Sequence, residues 1–246
     1  MNIAIIGYGK MGREIEKAAK SKGITTTSII DPYDNDAGFK EINESSMSGV
    51  DVCIDFSTPS SVVDNIKKAA KFKKNVVIGT TGWYDKIDEA RNIVKESNIG
   101  FIYASNFSIG VNAFFKIIES AAKIINKVEN YDIYGYELHH NKKIDSPSGT
   151  AKTIGEILIK NIKRKDTMIF DKIDRKIEPN ELHIASIRAG SIPGTHVVGF
   201  DSSADTIELR HTARNREGFA LGAIMAAQWI QNKKGFYDIN DIIKID

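Results

Sequence analysis

The chain reads as an α/β protein, with a Rossmann-type dinucleotide-binding domain followed by an α+β substrate and oligomerisation domain that has a mixed sheet. Three observations predict this. Over residues 1–106, short and almost wholly apolar runs alternate with segments of helical period, the pattern of a parallel sheet covered on both faces. A G-x-G-x-x-G run, Gly7-Tyr8-Gly9-Lys10-Met11-Gly12, falls directly after the first apolar run and directly before the first helical segment, where a dinucleotide-binding turn belongs. After about residue 106 the alternation stops, and later strand candidates follow one another with short Gly, Pro and Asp turns, as in an antiparallel or mixed sheet.

In chain order, strands are predicted at Ile3–Ile6, Thr25–Ile30, Val50–Ile54, Val76–Ile78 and Ile99–Tyr103, each short and rich in β-branched residues. Helices are predicted at Lys10–Lys22, Ser60–Lys73 and Asp85–Ser97, whose apolar residues (Met11, Ile15 and Ala18 in the first) recur on one face. Pro32–Gly49 is polar and turn-rich and reads as loop with at most a short helix. Ser108–Lys127 reads as one long helix, Tyr131–Leu138 as a strand and Ala151–Lys163 as a helix. Strands are then expected at Glu181–Arg188, Thr195–Phe200 and Thr206–Thr212, and a last helix at Glu217–Gln231. The expected division is 1–106 with 213–246 for the nucleotide domain and 107–212 for the substrate domain.

Composition excludes several classes. The chain has 246 residues, and 34 Lys+Arg stand against 32 Asp+Glu for a net charge of +2. No basic block or acidic tail argues for a nucleic-acid partner. The single cysteine, Cys53, rules out an intrachain disulfide and a multi-cysteine metal site. No run approaches the roughly 20 apolar residues of a membrane span. Met1 leads into the first strand without a basic leader, so a cytoplasmic location is expected.

The residues that carry chemistry fall in a few segments. In Gly7–Gly12 the glycines allow a tight turn and close backbone approach, and the helix start offers free N–H groups to a pyrophosphate. A glycine-rich turn without a ligand is the bland alternative. Asp31 closes the second strand about 20 residues on, placed to accept hydrogen bonds from a ribose, though Asp before Pro32 is also ordinary turn chemistry. Its carboxylate disfavours the extra phosphate of NADP, while Lys10 and Arg13 lie near enough to pair with it. NADH is therefore the expected cofactor, with NADPH tolerated. Phe56–Pro59, Gly79-Thr80-Thr81-Gly82 and Ala104-Ser105-Asn106-Phe107 follow later strands, at the edge where such sheets bind ligands.

The segment Glu137–Thr150 is the most informative. His139 and His140 adjoin, with Lys142 and Lys143 close behind. Neighbouring residues on a strand point opposite ways, so the two histidines make a poor chelate, and no metal site is expected. A His beside a Lys suits proton donation near an anion. Ser148, Gly149 and Thr150 open a helix whose amides can hold a carboxylate, although a plain helix cap explains Ser148 or Thr150 alone. Arg210–Phe219 is a basic stretch near the second domain junction, in which Arg216 and Phe219 are candidates for contact with the cofactor or the interdomain cleft, while a solvated charged loop is the bland alternative and the one favoured for Arg214.

These residues resemble the 4-hydroxy-tetrahydrodipicolinate reductase family, formerly dihydrodipicolinate reductase, of the diaminopimelate route to lysine. His139 to Ala151 matches its H-H-x-x-K-x-D-x-P-S-G-T-A signature, and Gly79–Gly82, Asn106–Asn112 and Arg188-Ala189-Gly190 match in order. The resemblance implies that His139 and Lys143 are the catalytic proton donors. It implies that His140, Ser148, Gly149 and Thr150 hold a small dicarboxylate substrate. It implies that Gly7 to Gly12, Asp31, Gly79 to Thr81, Ala104 to Phe107 and Arg216 line the nicotinamide cofactor, and that the protein assembles as a homotetramer. Asp31-Pro32 departs from the acidic-Arg pair of members that use both cofactors, and Ser105 stands where many members have Pro or Ala. From the residues alone, another oxidoreductase on this scaffold, such as an amino-acid dehydrogenase, is the nearest alternative. A non-enzymatic nicotinamide sensor would need an effector module, and the sequence shows none.

Overall fold

The computed structural model describes residues 1–243. The first elements are β1 (Asn2–Ile6), α1 (Lys10–Ser21), β2 (Thr25–Ile30), α2 (Glu44–Met47), β3 (Val52–Asp55), α3 (Val62–Lys71), β4 (Asn75–Ile78), α4 (Ile87–Ser97) and β5 (Gly100–Tyr103). There follow α5 (Ile109–Ile125), β6 (Asp132–His139), α6 (Gly149–Asn161), β7 (Thr167–Ile169), β8 (Glu181–Arg188), β9 (Thr195–Asp201) and β10 (Thr206–Thr212). Then come α7 (Glu217–Ile230) and β11 (Gly235–Asp238), followed by a 3₁₀ turn at Ile239–Asp241. It divides into two compact units, Met1–Asn112 with the chain from Arg216 onward, and Ala113–Asn215. Among the described residues no helix is long and apolar enough to cross a membrane.

The first unit is built on a sheet of order β11-β5-β4-β3-β1-β2, parallel at every pairing. Strand alternation separates its two cores. Ile3 and Ile5 of β1 pack with Ile15, Ala18 and Ala19 of α1 and the alanine-rich face of α7. Ala4 and Ile6 pack on the other side with Val62 and Ile66 of α3 and Ala90 and Val94 of α4. From β2 the chain crosses back over β1 to β3, so the carboxyl ends of β1 and β3 part into loops that run in opposite directions. This is the crevice where open α/β sheets take their ligands.

The second unit has the sheet order β10-β9-β6-β8-β7. β6, β8 and β7 run parallel, while β9 is antiparallel to both β6 and β10, so the sheet is mixed. One face is covered by α5 and α6 through Phe114, Ile118, Ile154 and Leu158. Tyr134, Tyr136 and Leu138 alternate onto the opposite, partly exposed face.

Three elements differ from expectation. β7 and β11 are not in the sequence reading, because three- and four-residue edge strands are too short to show a period. β11 is held by pairing with β5 and by Phe236 stacking on Phe101 with centroids 4.5 Å apart. The strand expected at Val50–Ile54 starts instead at Val52 and continues through Asp55, an ionisable residue with no exposed surface.

Candidate active site

Gly7 leaves β1 at φ +87°, and a Cβ on it would lie 2.6 Å from the Phe56 carbonyl oxygen. Only glycine fits where the loops after β1 and β3 touch. A Cβ on Gly12 would collide with the Gly7 carbonyl, whereas nothing lies within 4 Å of one on Gly9. The helical ladder of α1 begins with Arg13 N donating to Gly9 O at 3.1 Å, so the amides of Lys10, Met11 and Gly12 are left over at the helix start. No acidic side chain sits in that first turn. An open approach and spare amides fit a dinucleotide pyrophosphate. The Tyr8 amide is already used, donating to Asp31 Oδ2 at 2.8 Å. The Tyr8 ring is buried and its hydroxyl donates to Glu16, and burial together with that carboxylate pushes the phenol up to about 12.

Asp31 also accepts from the Tyr33 and Asp34 amides at 2.8 and 3.0 Å. Burial alone raises its pKa, and the three backbone donors overcome this and lower it, so the carboxylate is charged at neutral pH. Arg13, the candidate cation for a second phosphate, lies over the Tyr8 ring at 4.4 Å. It is paired with Asp34 at 2.8 Å and Asp36 at 2.9 Å.

The loops after β3, β4 and β5 lie side by side because their strands are neighbours. Asp55 ties two of them together. It accepts from Ser57 N (2.9 Å), Ser57 Oγ (2.6 Å), Asn65 Nδ2 (2.8 Å) and Thr80 Oγ1 (3.1 Å). Thr80 is therefore buried and engaged, Thr81 is exposed, and Gly79 packs against the Phe56 ring. Ala104 and Phe107 are buried, Ser105 is exposed, and Asn106 Oδ1 accepts from Ser108 N at 2.8 Å. Arg216 is exposed at the start of α7.

In the second unit, sheet register assembles the site. Glu137 and His139 are two apart on β6 and share its buried face. Parallel pairing sets Ser186 beside Glu137 and Arg188 beside His139. Antiparallel pairing sets His196 opposite Glu137. Glu137 has no exposed surface. Its Oε1 accepts from Ser148 N (2.9 Å), Ser186 Oγ (2.9 Å) and Arg188 Nη2 (2.7 Å). Its Oε2 accepts from Ser148 Oγ and lies 3.4 Å from His139 Nδ1 and 3.8 Å from His196 Nδ1. Burial opposes the charge, but the Ser148, Arg188 and Ser186 donors outweigh it and bring the carboxyl down to about 2.

Burial lowers the pKa of His139; Glu137 opposes this, and Lys143 and Arg188 add to it. Burial likewise brings His196 down to about 4. Lys143 rests on Asp145, with Nζ 2.7 and 2.9 Å from its two oxygens, and not on a histidine. The His140 Nδ1 is buried without a partner among the described residues. Ser148 is the N-cap of α6, its Oγ accepting from Ala151 N at 3.2 Å. The ladder starts with Lys152 N donating to Ser148 O, which leaves the amides of Gly149 and Thr150 over. Ser148 itself is buried and spends both its amide and its hydroxyl on Glu137, while Gly149 is exposed and Thr150 partly so.

Glu137, His139 and His196 place a carboxylate oxygen and two ring nitrogens within 4.8 Å of one another. The sequence showed no third partner for the adjacent histidines, because His196 arrives only through strand pairing. A cation among them would face the Arg188 guanidinium that already neutralises Glu137, so the trio fits protons better than a metal ion. One signal was available in the sequence. Ile133, Gly135 and Glu137 alternate along β6, and a Glu on an apolar face requires partners.

The family model described as dihydrodipicolinate reductase, N-terminus, matches residues 1–107, and that for its C-terminus matches 110–243. A 4-hydroxy-tetrahydrodipicolinate reductase of Christiangramia forsetii is 41% identical over 244 residues, covering 99% of this chain and 98% of its own. One from Ralstonia pickettii is 36% identical over 265 residues, covering 99% of each. The dipicolinate-bound dihydrodipicolinate reductase of Paenisporosarcina sp. TG-14 has a similar fold, with a TM-score of 0.79 at 23% identity over 98% of this chain and 99% of that one.

Proposed function

Since this chain belongs to the dihydrodipicolinate reductase family, we propose that it reduces 4-hydroxy-tetrahydrodipicolinate to tetrahydrodipicolinate with loss of water, in the diaminopimelate route to lysine. The observation that carries the reading at the level of residues is the segment 137–150. There one stretch of chain supplies a buried imidazole, a lysine ammonium and two spare helix-start amides. The nicotinamide cofactor supplies the hydride.

This chain's residues do the rest. The amides of Gly149 and Thr150, at the positive end of α6, hold a substrate carboxylate, and His140 holds the ring beside it. Ser148 acts through its cap, which fixes those amides in place. Negative charge develops on the ring as hydride arrives. Lys143 meets that charge, and His139 supplies the proton. The amides of Lys10, Met11 and Gly12 bind the pyrophosphate, and Asp31 the ribose. Gly79 to Thr81, Ala104 to Phe107 and Arg216 complete the cofactor's surroundings. NADH is preferred to NADPH, because Asp31 repels a second phosphate and Arg13 is already held by Asp34 and Asp36. A homotetramer formed through the open face of the second sheet, in the cytoplasm, completes the proposal.

A coupled assay tests it, with the substrate made in place by its synthase and nicotinamide absorbance followed for NADH and NADPH. Oxidation is expected with both, faster with NADH at low concentration. His139→Ala and Lys143→Ala should each lose on the order of 10²–10⁴ in turnover while NADH still binds. No oxidation with either cofactor, or unchanged turnover in both variants, overturns the reading.

A further inference from the structure

His139 has two ring nitrogens in different surroundings. Nδ1 is buried and lies 3.4 Å from Glu137 Oε2, with no hydrogen bond closed among the described residues. Nε2 faces Gly194, where a Cβ would lie 3.1 Å from it. Gly194 has φ +143°, so bare glycine backbone, and no side chain of that residue, lies beside Nε2. A carboxylate beside one imidazole nitrogen favours the tautomer with its proton there and leaves the other nitrogen for proton exchange. Hydrogen bonds of this kind are often long before a substrate is bound.

The same carboxylate governs the helix start. Ser148 donates to Glu137 through both its amide and its hydroxyl, and Ser148 caps α6. Ser186 and Arg188 hold Oε1 from the neighbouring strand, so the carboxylate is fixed before it acts on anything else. His196 packs edge-on against His139, with centroids 5.2 Å apart and planes at 69°. From this arrangement we infer that Glu137 is the positioning residue of the site: it sets the tautomer and orientation of His139 and, through Ser148, the place of the Gly149 and Thr150 amides. One buried group thus fixes the distance between proton donor and carboxylate cradle, a distance on which near-attack geometry depends. The inference rests on the reading of His139 as the proton donor.

The charged and titratable groups facing His139 are Glu137 on its own strand, Lys143 and Asp145 on the loop that follows, Arg188 on β8 and His196 on β9. Burial keeps His196 neutral near pH 7. In Glu137→Gln the nearest negative charge is lost while Lys143 and Arg188 stay, so protonation of His139 becomes harder.

The test is a ¹⁵N NMR titration of the histidine side chains, run on wild type, Glu137→Gln, Glu137→Asp and Ser186→Ala, with turnover measured alongside. In the wild type, neutral His139 should carry its proton on Nδ1. In Glu137→Gln its titration should move about 1 pH unit or more towards acid, and kcat should fall about 10–100-fold. Glu137→Asp keeps the charge and should recover part of both. Ser186→Ala removes one hydrogen bond but no charge and should leave the titration in place. A wild-type His139 protonated on Nε2 when neutral overturns the inference without any variant. So does a folded Glu137→Gln protein with unmoved titration and turnover. If the titration moves as expected but His139→Ala keeps full turnover, the proton-donor reading fails and the placement of Glu137 stands.

Discussion

Asp55 and Glu137 are fully buried carboxylates near the carboxyl ends of strands in different units, and each accepts four hydrogen bonds. They differ in one donor. Every partner of Asp55 is neutral, and burial outweighs them, so its pKa is raised. Glu137 has Arg188 at 2.7 Å, and with Ser148 and Ser186 this more than offsets burial and brings it to about 2. Neutral donors orient a buried carboxylate, but a cation keeps it charged. The difference matches the two tasks. Asp55 ties the loops after β3 and β4 together through neutral donors from Ser57, Asn65 and Thr80. Glu137 lies beside an imidazole that must become a cation, and its charge favours that form.

The largest effect should come from removing the cation. Arg188→Leu leaves Glu137 buried and uncompensated, at a cost of about 3–5 kcal/mol. The double variant with Glu137→Gln should recover part of this in urea unfolding. A loss of only about 1 kcal/mol, typical of an ordinary substitution, would mean that Arg188 is not what sustains the charge, and the contrast with Asp55 would collapse. A smaller effect is expected for Asp55→Asn, which keeps the shape and most of the acceptor geometry of a side chain that has no cation to lose. It should cost about 1 kcal/mol, less than Glu137→Gln measured at the same pH. The reverse order would show that Asp55 works as an anion.

This contrast could not be read along the chain, and the reason is physical. The Gly7–Gly12 turn and the 139–150 segment are local, so spacing and residue type expose them. The alternating apolar runs likewise show the parallel sheet. Around Glu137, in contrast, Ser186, Arg188 and His196 come 49 to 59 residues later and meet it only through the registers of β6 with β8 and β9. Asp55 falls just past the strand expected at Val50–Ile54, and its donors, Ser57, Asn65 and Thr80, meet it only in the folded chain. Ser148 read as a substrate contact, since a sequence cannot show that its hydroxyl and amide are already spent on Glu137. Arg13 read as a free cation for the same reason, with Asp34 and Asp36 over 20 residues away.

The pH dependence is the most discriminating measurement, because it separates the two carboxylates by sign. Glu137 has a folded-state pKa of about 2 against an ordinary 4.5. The stability it contributes is therefore present above about pH 4.5 and is lost as pH falls towards 2. Asp55 is shifted upward from 3.8, so the folded state holds its proton more tightly than the unfolded chain does. The stability it contributes is present in acid and is lost as pH rises from about 3.8 through the folded value. Each can change stability by at most about 1.4 kcal/mol per pH unit, the limit for one proton. Groups elsewhere titrate over the same range, so the measurement is the difference between wild type and variant in urea unfolding from pH 2 to 6. The cost of Glu137→Gln should grow as pH rises through this range, whereas the cost of Asp55→Asn should shrink. If both costs grow, Asp55 is a stabilised anion like Glu137, neutral donors alone suffice to hold a buried charge in this fold, and Arg188 loses its special place.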